Sequence, residues 1–218
     1  ISLRSGAPVR RYPRVTGEVY TAVSDGDGGW FIGGSFETVE GKPRSHIAHV
    51  LSNGRLSSWN PRVSGFAVFA IARRGHKIYI GGSFSSVNGV GRYCLAAVDD
   101  VRGTTLDWDP EPDGGVRCLL VHRGAVLVGG TFATIAGQAR ANLARLDAGT
   151  GAAINWQADT DGRVLAMAVD DGPVFGPWTD GLSGENRRRG LPPLASAETH
   201  DQRSGQQGML QKGVLSDG

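Results

Sequence analysis

The sequence predicts an all-β protein built from repeated four-stranded units, and two observations lead to this prediction. A Gly-Gly-Ser/Thr-Phe motif begins at Gly33, Gly81 and Gly129, so it recurs every 48 residues. Between these motifs, short runs of Val, Ile, Leu and aromatic residues alternate with turns rich in Gly, Pro and Asp, as β-strands do. Four such strands in roughly 40–50 residues is the spacing of a β-propeller blade.

Each strand of a unit has its own signal. The first is a Val-rich alternating segment, at residues 19–23, 68–72, 116–121 and 164–169. The second strand leads into the Gly-Gly pair, the third contains a Leu-Ala or Ile-Ala pair, and the fourth ends at a recurring Trp. No segment shows the 3.6-residue apolar spacing of an amphipathic helix. The elements therefore predict antiparallel blades without helices.

Other residues recur in the same register as the Gly-Gly pair. They are the turn glycines Gly41, Gly89 and Gly137, the arginines Arg44, Arg92 and Arg140, and the tryptophans Trp59, Trp108 and Trp156. Glycine inside a strand favours a bulge or the close approach of a neighbouring chain segment. The Phe of the motif and the recurring Trp are expected to be buried between blades. Because every unit needs these residues, they indicate scaffold.

The repeats define the predicted domains. Residues 1–175 form the β-propeller repeats, with units near 14–61, 62–110, 111–158 and 159–195, and residues 196–218 are a Gly-, Gln- and Ser-rich segment expected to be disordered. The last unit is degraded. Gly176-Pro177-Trp178-Thr179 replaces the motif, and Pro192-Pro193 interrupts the third strand. A translated frame error near residue 176 would produce the same pattern.

The phase of the repeat leaves two architectures open. Residues 1–13 match the fourth strand of a unit, so they could complete the last blade and close a four-bladed ring. The alternative is a partial propeller cut from a longer array. We prefer the second interpretation, because the terminal repeats lack the polar outer face that capping repeats carry.

Three blocks of the chain resemble a known repeat. VLVGGTFATIAGQARANLARLDAGTG (residues 126–151) closely resembles the delta-60 repeat, a β-propeller repeat of large bacterial surface and secreted proteins, and residues 78–100 and 30–50 are similar to it. The resemblance covers about residues 10–175. It implies an extracytoplasmic bacterial β-propeller, extracellular or at the cell surface, that is often one module of a longer chain. It carries over no catalytic residue.

A second, weaker resemblance is to quinoprotein-type propellers, whose blade-docking motif has Asp, then Thr-Gly, then Trp. Asp147-Ala148-Gly149-Thr150-Gly151 followed by Trp156 is similar, although the Trp comes one residue late. In the preceding unit, Asp99 and Gly103 are present without the Thr before the Gly. We therefore predict no cofactor and no cofactor-binding residue.

The remaining candidate site residues favour structural roles. Ser24-Asp25-Gly26-Asp27-Gly28-Gly29 has some oxygen ligands of a calcium loop, but lacks the late bidentate Glu, and a hairpin turn explains it better. His46 and His49 lie three apart on a strand and so face opposite sides. His76 and His122 fall at the turn after the first strand, where exposure is expected, and no role is predicted for His200. We predict no catalytic and no metal-binding residue.

The two cysteines are also predicted to be structural. Cys118 occupies a position held by Thr21, Ala70 and Ala166 in the other units, so it is expected to be a small buried side chain. Cys94 takes a variable position. A Cys94–Cys118 bridge would join non-equivalent strands of adjacent blades and is not favoured.

Charge and hydropathy exclude several functions. The chain has 23 basic and 21 acidic residues, and its net charge of +2 does not predict a nucleic-acid partner. No apolar run approaches the ~18 residues of a transmembrane helix. Two basic clusters, Arg187-Arg188-Arg189 and the trio Arg10, Arg11 and Arg14, are interpreted as solvated loops, because aromatic residues do not interleave them.

The sequence predicts a non-enzymatic binding or scaffolding module of an extracytoplasmic bacterial protein, with an unknown protein or glycan as ligand and further domains in a longer parent chain. A structural spacer is a second possibility. The alternative is an enzyme with a site at the propeller axis, acting on carbohydrate or as a quinoprotein-like oxidoreductase. An enzyme or ligand site should appear as non-repeating polar residues that converge on one surface. The sequence by itself identifies no such set.

Overall fold

The computed structural model describes residues 12–156, 158, 160–169 and 174–178, and these residues contain β-strands and turns but no helix. The strands in chain order are β1 (Val15–Thr16), β2 (Val19–Ser24), β3 (Trp30–Gly34), β4 (Thr38–Val39), β5 (Lys42–Pro43), β6 (Ile47–Val50), β7 (Val63–Arg74), β8 (Lys77–Val87), β9 (Val90–Gly91), β10 (Leu95–Asp99), β11 (Val116–His122), β12 (Ala125–Gly130), β13 (Thr134–Ile135), β14 (Gln138–Ala139), β15 (Leu143–Asp147), β16 (Ala166–Val169) and β17 (Val174–Trp178). The all-β prediction is confirmed over this part of the chain.

The strands assemble into consecutive antiparallel blades. Blade 1 is β2-β3-β6, blade 2 is β7-β8-β10, blade 3 is β11-β12-β15, and β16 pairs with β17. The first strands of successive blades are neighbours, since β2 packs on β7, β7 on β11, and β11 on β16. Each blade therefore presents its first strand on a common inner side, and the predicted order of first, second and third strands is observed.

The predicted fourth strand is reduced to a single β-bridge in each unit, so four-stranded blades are not confirmed. The bridges are Val50–Leu56, Val98–Thr105 and Leu146–Ala153. Beyond the bridge, the recurring arginine, which is buried at Arg44 and half-buried at Arg92, donates to the carbonyl groups that a strand ladder would use. Arg44 donates to the Ser57 carbonyl at 2.7 Å, and Arg92 donates to the Leu106 carbonyl at 3.1 Å. This explains the recurring Arg as part of the scaffold.

A short hairpin follows the Gly-Gly motif in each unit, which the sequence analysis did not predict. It is formed by β4–β5, by the end of β8 with β9, and by β13–β14. Both central residues of its turn have positive φ, as at Asn88 (54°) and Gly89 (78°). This is the type I′ geometry of two-residue hairpins, which selects Gly at the second position. The type I′ turn therefore explains why a glycine recurs at this position in each unit.

The Gly-Gly pair lies where two neighbours approach closely. The first glycine faces a valine of the next blade. A Cβ on Gly33 would lie 2.7 Å from Val68 Cγ1, and one on Gly129 would lie 2.6 Å from Val164 Cγ1. The second glycine is covered by its own first strand, which bulges at this point in all three blades. Both reasons for a strand glycine given by the sequence analysis, a bulge and a close approach, are present.

The recurring Trp connects neighbouring blades through a hydrogen bond from its indole N–H. Trp59 Nε1 donates to the Asp99 carbonyl at 2.8 Å, and Trp108 Nε1 donates to the Asp147 carbonyl at 3.0 Å. Trp156 is equally buried, and its indole N–H has no partner among the described residues. The expected burial of Trp between blades is thus observed.

Several predictions fall outside the described residues. They concern Arg10, Arg11, Arg187-Arg188-Arg189, Pro192-Pro193, His200, the 196–218 segment and the frame error. The number of blades and the end of the fourth unit also stay predictions.

Candidate functional site: a charged cleft between blades 1 and 2

A polar cleft of about 280 Å³ lies between blades 1 and 2. It is lined by the β2–β3 turn, by β6 and the segment that follows it, by the end of β7 and by the turn after β10. These parts of the chain bring together two carboxylates, one imidazole and one guanidinium, which belong to Asp25, Asp100, His49 and Arg73. His76 lies outside the cleft lining and contacts Asp100.

Asp25 organises the blade 1 side of the cleft. Its Oδ1 accepts the backbone N–H groups of Asp27 and Gly29, each at 2.8 Å, and its Oδ2 lies 2.9 Å from His49 Nε2. Burial raises the pKa of Asp25, but the hydrogen bonds from His49, Asp27 and Gly29 outweigh it, and the net pKa lies below its ordinary value. Asp25 is therefore a carboxylate at neutral pH.

The imidazole of His49 is held by packing as well as by Asp25. Its ring stacks on Phe31, with centroids 4.3 Å apart and an angle of 17°, and meets Trp59 edge-on at 6.4 Å. In the neutral state, an N–H on Nε2 directed to Asp25 leaves Nδ1 as the acceptor. His49 thus presents one fixed ring orientation to the cleft.

Asp100 organises the blade 2 side. Its Oδ2 accepts from Arg73 at 3.2 Å, and its Oδ1 lies 3.1 Å from His76 Nδ1. The carboxylate is almost completely buried, whereas the His76 side chain is 84% exposed. Arg73 retains partial exposure toward the cleft. This half of the site therefore offers donors to a ligand while its own carboxylate is already paired.

The cleft can bind a polar group through both donors and acceptors. The carboxylates of Asp25 and Asp100 are both already hydrogen-bonded, to His49 and to Arg73. Over residues 12–178 with the gaps given above, no group of three or more His, Cys, Asp or Glu side chains is arranged to hold a metal ion.

Asp25 and His49 are recognisable in the sequence only as separate candidates, and Arg73 and Asp100 were not predicted. The signal that could have found Arg73 is strand register, since Arg73 aligns with Ser24 and Val121 of the other blades. Asp25 aligns with Arg74 and His122, and His49 aligns with Ala97 and Arg145. At these positions the residue type differs from one unit to the next. Only the packing of blade 1 on blade 2 shows that they share one surface.

The Ser24–Gly29 loop, interpreted as a hairpin turn, does connect β2 and β3. Asp25 lies at its start and uses its carboxylate inside the turn and on His49. His46 lies in a left-handed conformation (φ 66°) before β6 and does not line the cleft. His122 is half-buried, in contrast to the expected exposure. His122 is the last residue of β11 and pairs with Ala125, whereas His76 lies in the turn between β7 and β8.

Both cysteines are free thiols. Cys94 is buried, and Cys118 packs in a cluster with Leu127, Leu143 and Val164. Burial raises the pKa of Cys118 to about 12, so its thiol is protonated and unreactive at neutral pH. The unfavoured Cys94–Cys118 bridge is not formed, whereas Cys118, which was expected to be buried, retains partial exposure.

The quinoprotein-like motif is explained by turn and docking geometry. Asp147 Oδ1 accepts the N–H groups of Gly149 and Thr150, at 2.9 and 2.7 Å, and the Thr150 hydroxyl at 3.0 Å. These Thr150 and Gly149 bonds lower the pKa of Asp147. A Cβ on Gly151 would lie 3.4 Å from Trp108, so a small residue fits against the docked indole. The motif therefore has a structural role here.

Comparison with known proteins supports the fold. Residues 77–96 and 124–152 match a family described as a domain of unknown function (DUF5122), a β-propeller. The matched segments run from the second strand through the Gly-Gly motif in blades 2 and 3, and cover less than a quarter of the 218 residues. They support a β-propeller family. The more specific delta-60 assignment stays a prediction.

A search of curated proteins found no match to the chain. In the part of the chain that the structure describes, there is no helix of the length and apolarity needed to cross a membrane.

Proposed function

We propose that the protein is a non-enzymatic binding or scaffolding β-propeller module that acts outside the cytoplasm of a bacterium, with a protein or glycan as its ligand. The observation that carries this proposal is the charged cleft. Its residues depart from the repeat while the residues around them keep it. Repeated positions account for the fold, so a cluster of non-repeating polar side chains is the expected mark of a ligand site.

The chemistry of the cleft suits recognition of polar groups. Arg73 provides donors, and Asp25 and Asp27 provide acceptors. Asp100 and Asp25 are held by hydrogen bonds on both sides, so little side-chain freedom is lost when a ligand binds. An extracytoplasmic location is proposed from the resemblance to repeats of surface and secreted proteins.

The proposal is tested by binding of the 218-residue chain to a panel of immobilised glycans and extracellular proteins. We expect at least one panel member to bind, and Arg73→Ala to weaken that binding about tenfold, the scale of one hydrogen bond to a charged group. Arg62→Ala, which removes an exposed arginine outside the cleft, is the control. Absence of binding across the panel, or equal binding by Arg73→Ala, would contradict the proposal.

Location is tested separately, by fractionating the producing cells and detecting the protein with an antibody. Recovery in the surface or culture fraction is expected, whereas recovery in the cytoplasm alone would reject this part of the proposal.

A further inference from the structure

The bulge in the first strand of each blade places one extra residue on the inner side of the molecule. In β2, Val19 pairs with Gly34 and Thr21 with Gly33, so Tyr20 has no partner across the strand. Phe69 in β7 and Arg117 in β11 are skipped in the same way. A second bulge in β7 skips Phe66. Bulges redirect side chains and are common next to functional sites.

The bulge residues meet one another across the blades. The rings of Tyr20 and Phe69 have centroids 5.6 Å apart, those of Phe66 and Phe69 are 6.3 Å apart, and the Arg117 guanidinium lies 4.2 Å from the Phe69 centroid. We call Tyr20, Phe66, Phe69 and Arg117 the aromatic stripe. It crosses three blades and shares no residue with the charged cleft.

Phe66 and Tyr20 of the aromatic stripe are exposed although they are large and apolar, whereas Phe69 and Arg117 are half-buried. Phe66 is 65% and Tyr20 is 43% exposed. The scaffold positions on either side are occupied by similar small or branched residues in each blade, whereas the bulge position changes from Tyr to Phe to Arg. An exposed aromatic cluster at a variable position of an otherwise regular scaffold indicates ligand binding.

Polar groups flank the rings at the Tyr20 end. The Tyr20 hydroxyl donates to Glu18 Oε2 at 2.6 Å, and the Ser35 hydroxyl donates to the Tyr20 oxygen at 3.1 Å. Aromatic faces beside hydroxyl and carboxylate groups match a sugar ring, which has an apolar C–H face and a hydroxyl edge. The Glu18 carboxylate opposes a phosphate polymer, and Arg117 is already placed over Phe69. Charge complementarity thus favours a neutral, hydroxyl-rich ligand over nucleic acid.

We propose that the aromatic stripe is a carbohydrate-binding site, with sugar rings stacking on Phe66 and Tyr20 and their hydroxyl groups bonding to Glu18 and Ser35. This site is additional to the charged cleft on which the proposed function rests. It lies on the inner strands, and carbohydrate is proposed as its own ligand.

The test is titration calorimetry of the 218-residue chain with cellohexaose, maltohexaose and chitohexaose, with a thymidine dodecanucleotide as the alternative ligand. We expect one of the hexasaccharides to bind, with affinity reduced about tenfold or more in Phe66→Ala. Tyr20→Phe, which keeps the ring and removes the hydroxyl, should lose less. Tyr93→Ala is the matched control, since Tyr93 is 52% exposed and lies outside the aromatic stripe.

Because Phe66 is exposed, Phe66→Ala should keep the thermal unfolding temperature, and this is checked for every variant. Failure of all three hexasaccharides to bind, binding that Phe66→Ala leaves intact, or dependence on the aromatic stripe for the oligonucleotide alone would overturn the proposal. Arg73→Ala separates the two sites. Sugar binding lost in Arg73→Ala and kept in Phe66→Ala would reject the aromatic stripe while supporting the charged cleft.

Discussion

The role of an individual polar residue in this protein follows from the hydrogen-bond partners of its side chain. Asp25 and Asp147 both accept N–H groups of the turn that follows them, yet only Asp25 also contacts an imidazole. Arg44 has a guanidinium buried against backbone carbonyls, and its two terminal nitrogens donate to the carbonyls of Pro43 and Ser57. The same residue type thus serves the scaffold at one position and the candidate site at another.

The lowered pKa of Asp25 predicts an acid-dependent loss of stability. Since the pKa in the folded state lies below the ordinary 3.8, the ionised carboxylate stabilises the fold above that pH, and this contribution disappears as the pH falls through the folded pKa. Asp25→Asn should cost about 1–3 kcal/mol at pH 7, the range for hydrogen bonds to a charged group, and less at pH 3. Urea unfolding at both values measures the difference.

Asp27→Asn is the matched control for this prediction, because Asp27 is exposed in the same turn. A cost of Asp25→Asn that is the same at pH 3 and pH 7 would contradict the assigned role of the carboxylate.

At the scale of elements, the Gly-Gly pair determines how the second strand meets its neighbours. The first glycine leaves room for a valine side chain of the next blade. The second glycine lies under the bulge of the first strand. The bulge in turn places Tyr20, Phe69 and Arg117 on the inner side. A fixed scaffold pair therefore creates a variable position one strand away, and this links the fold to the proposed carbohydrate site.

Gly81→Ala is expected to destabilise the protein by about 1–3 kcal/mol, the usual cost of overpacking. A Cβ at Gly81 would overlap the Val116 side chain of the next blade. Gly91→Ala is the control, since a Cβ there meets nothing within 4 Å and its φ is not positive. Chemical denaturation of the two variants checks the prediction, and equal stability would argue against this contact between blades.

At the scale of the whole molecule, neighbouring blades are joined by side chains of one blade that pack against the backbone of the blade before it. Val68, Val116 and Val164 are fully buried against the glycine of the preceding blade. Val19 has the same position in blade 1 and is 45% exposed. Trp30 is also exposed, whereas its equivalent Ile78 is fully buried. Burial of one and the same repeat position thus depends on the presence of a neighbour.

Val68→Ala should therefore cost about 2 kcal/mol, for two buried methyl groups and the space they leave. Val19→Ala should change the free energy of unfolding by less than about 0.5 kcal/mol, as exposed substitutions do. The two variants make the same chemical change at equivalent positions, so thermal or urea unfolding isolates the contribution of the contact between blades. Similar losses in both would show that Val19 is covered in solution.

The sequence by itself determined the repeat, the order of three strands in each blade and the scaffold role of Gly, Arg and Trp, because each unit must satisfy the same backbone and packing needs. The reduced fourth strand and the extra hairpin were not predicted, since a single bridge and two-residue strands leave little periodicity. The charged cleft and the aromatic stripe were decided by tertiary structure. Asp25 and Asp100 belong to different units, as do Tyr20 and Phe69, and only blade packing and strand bulges bring such side chains onto one surface.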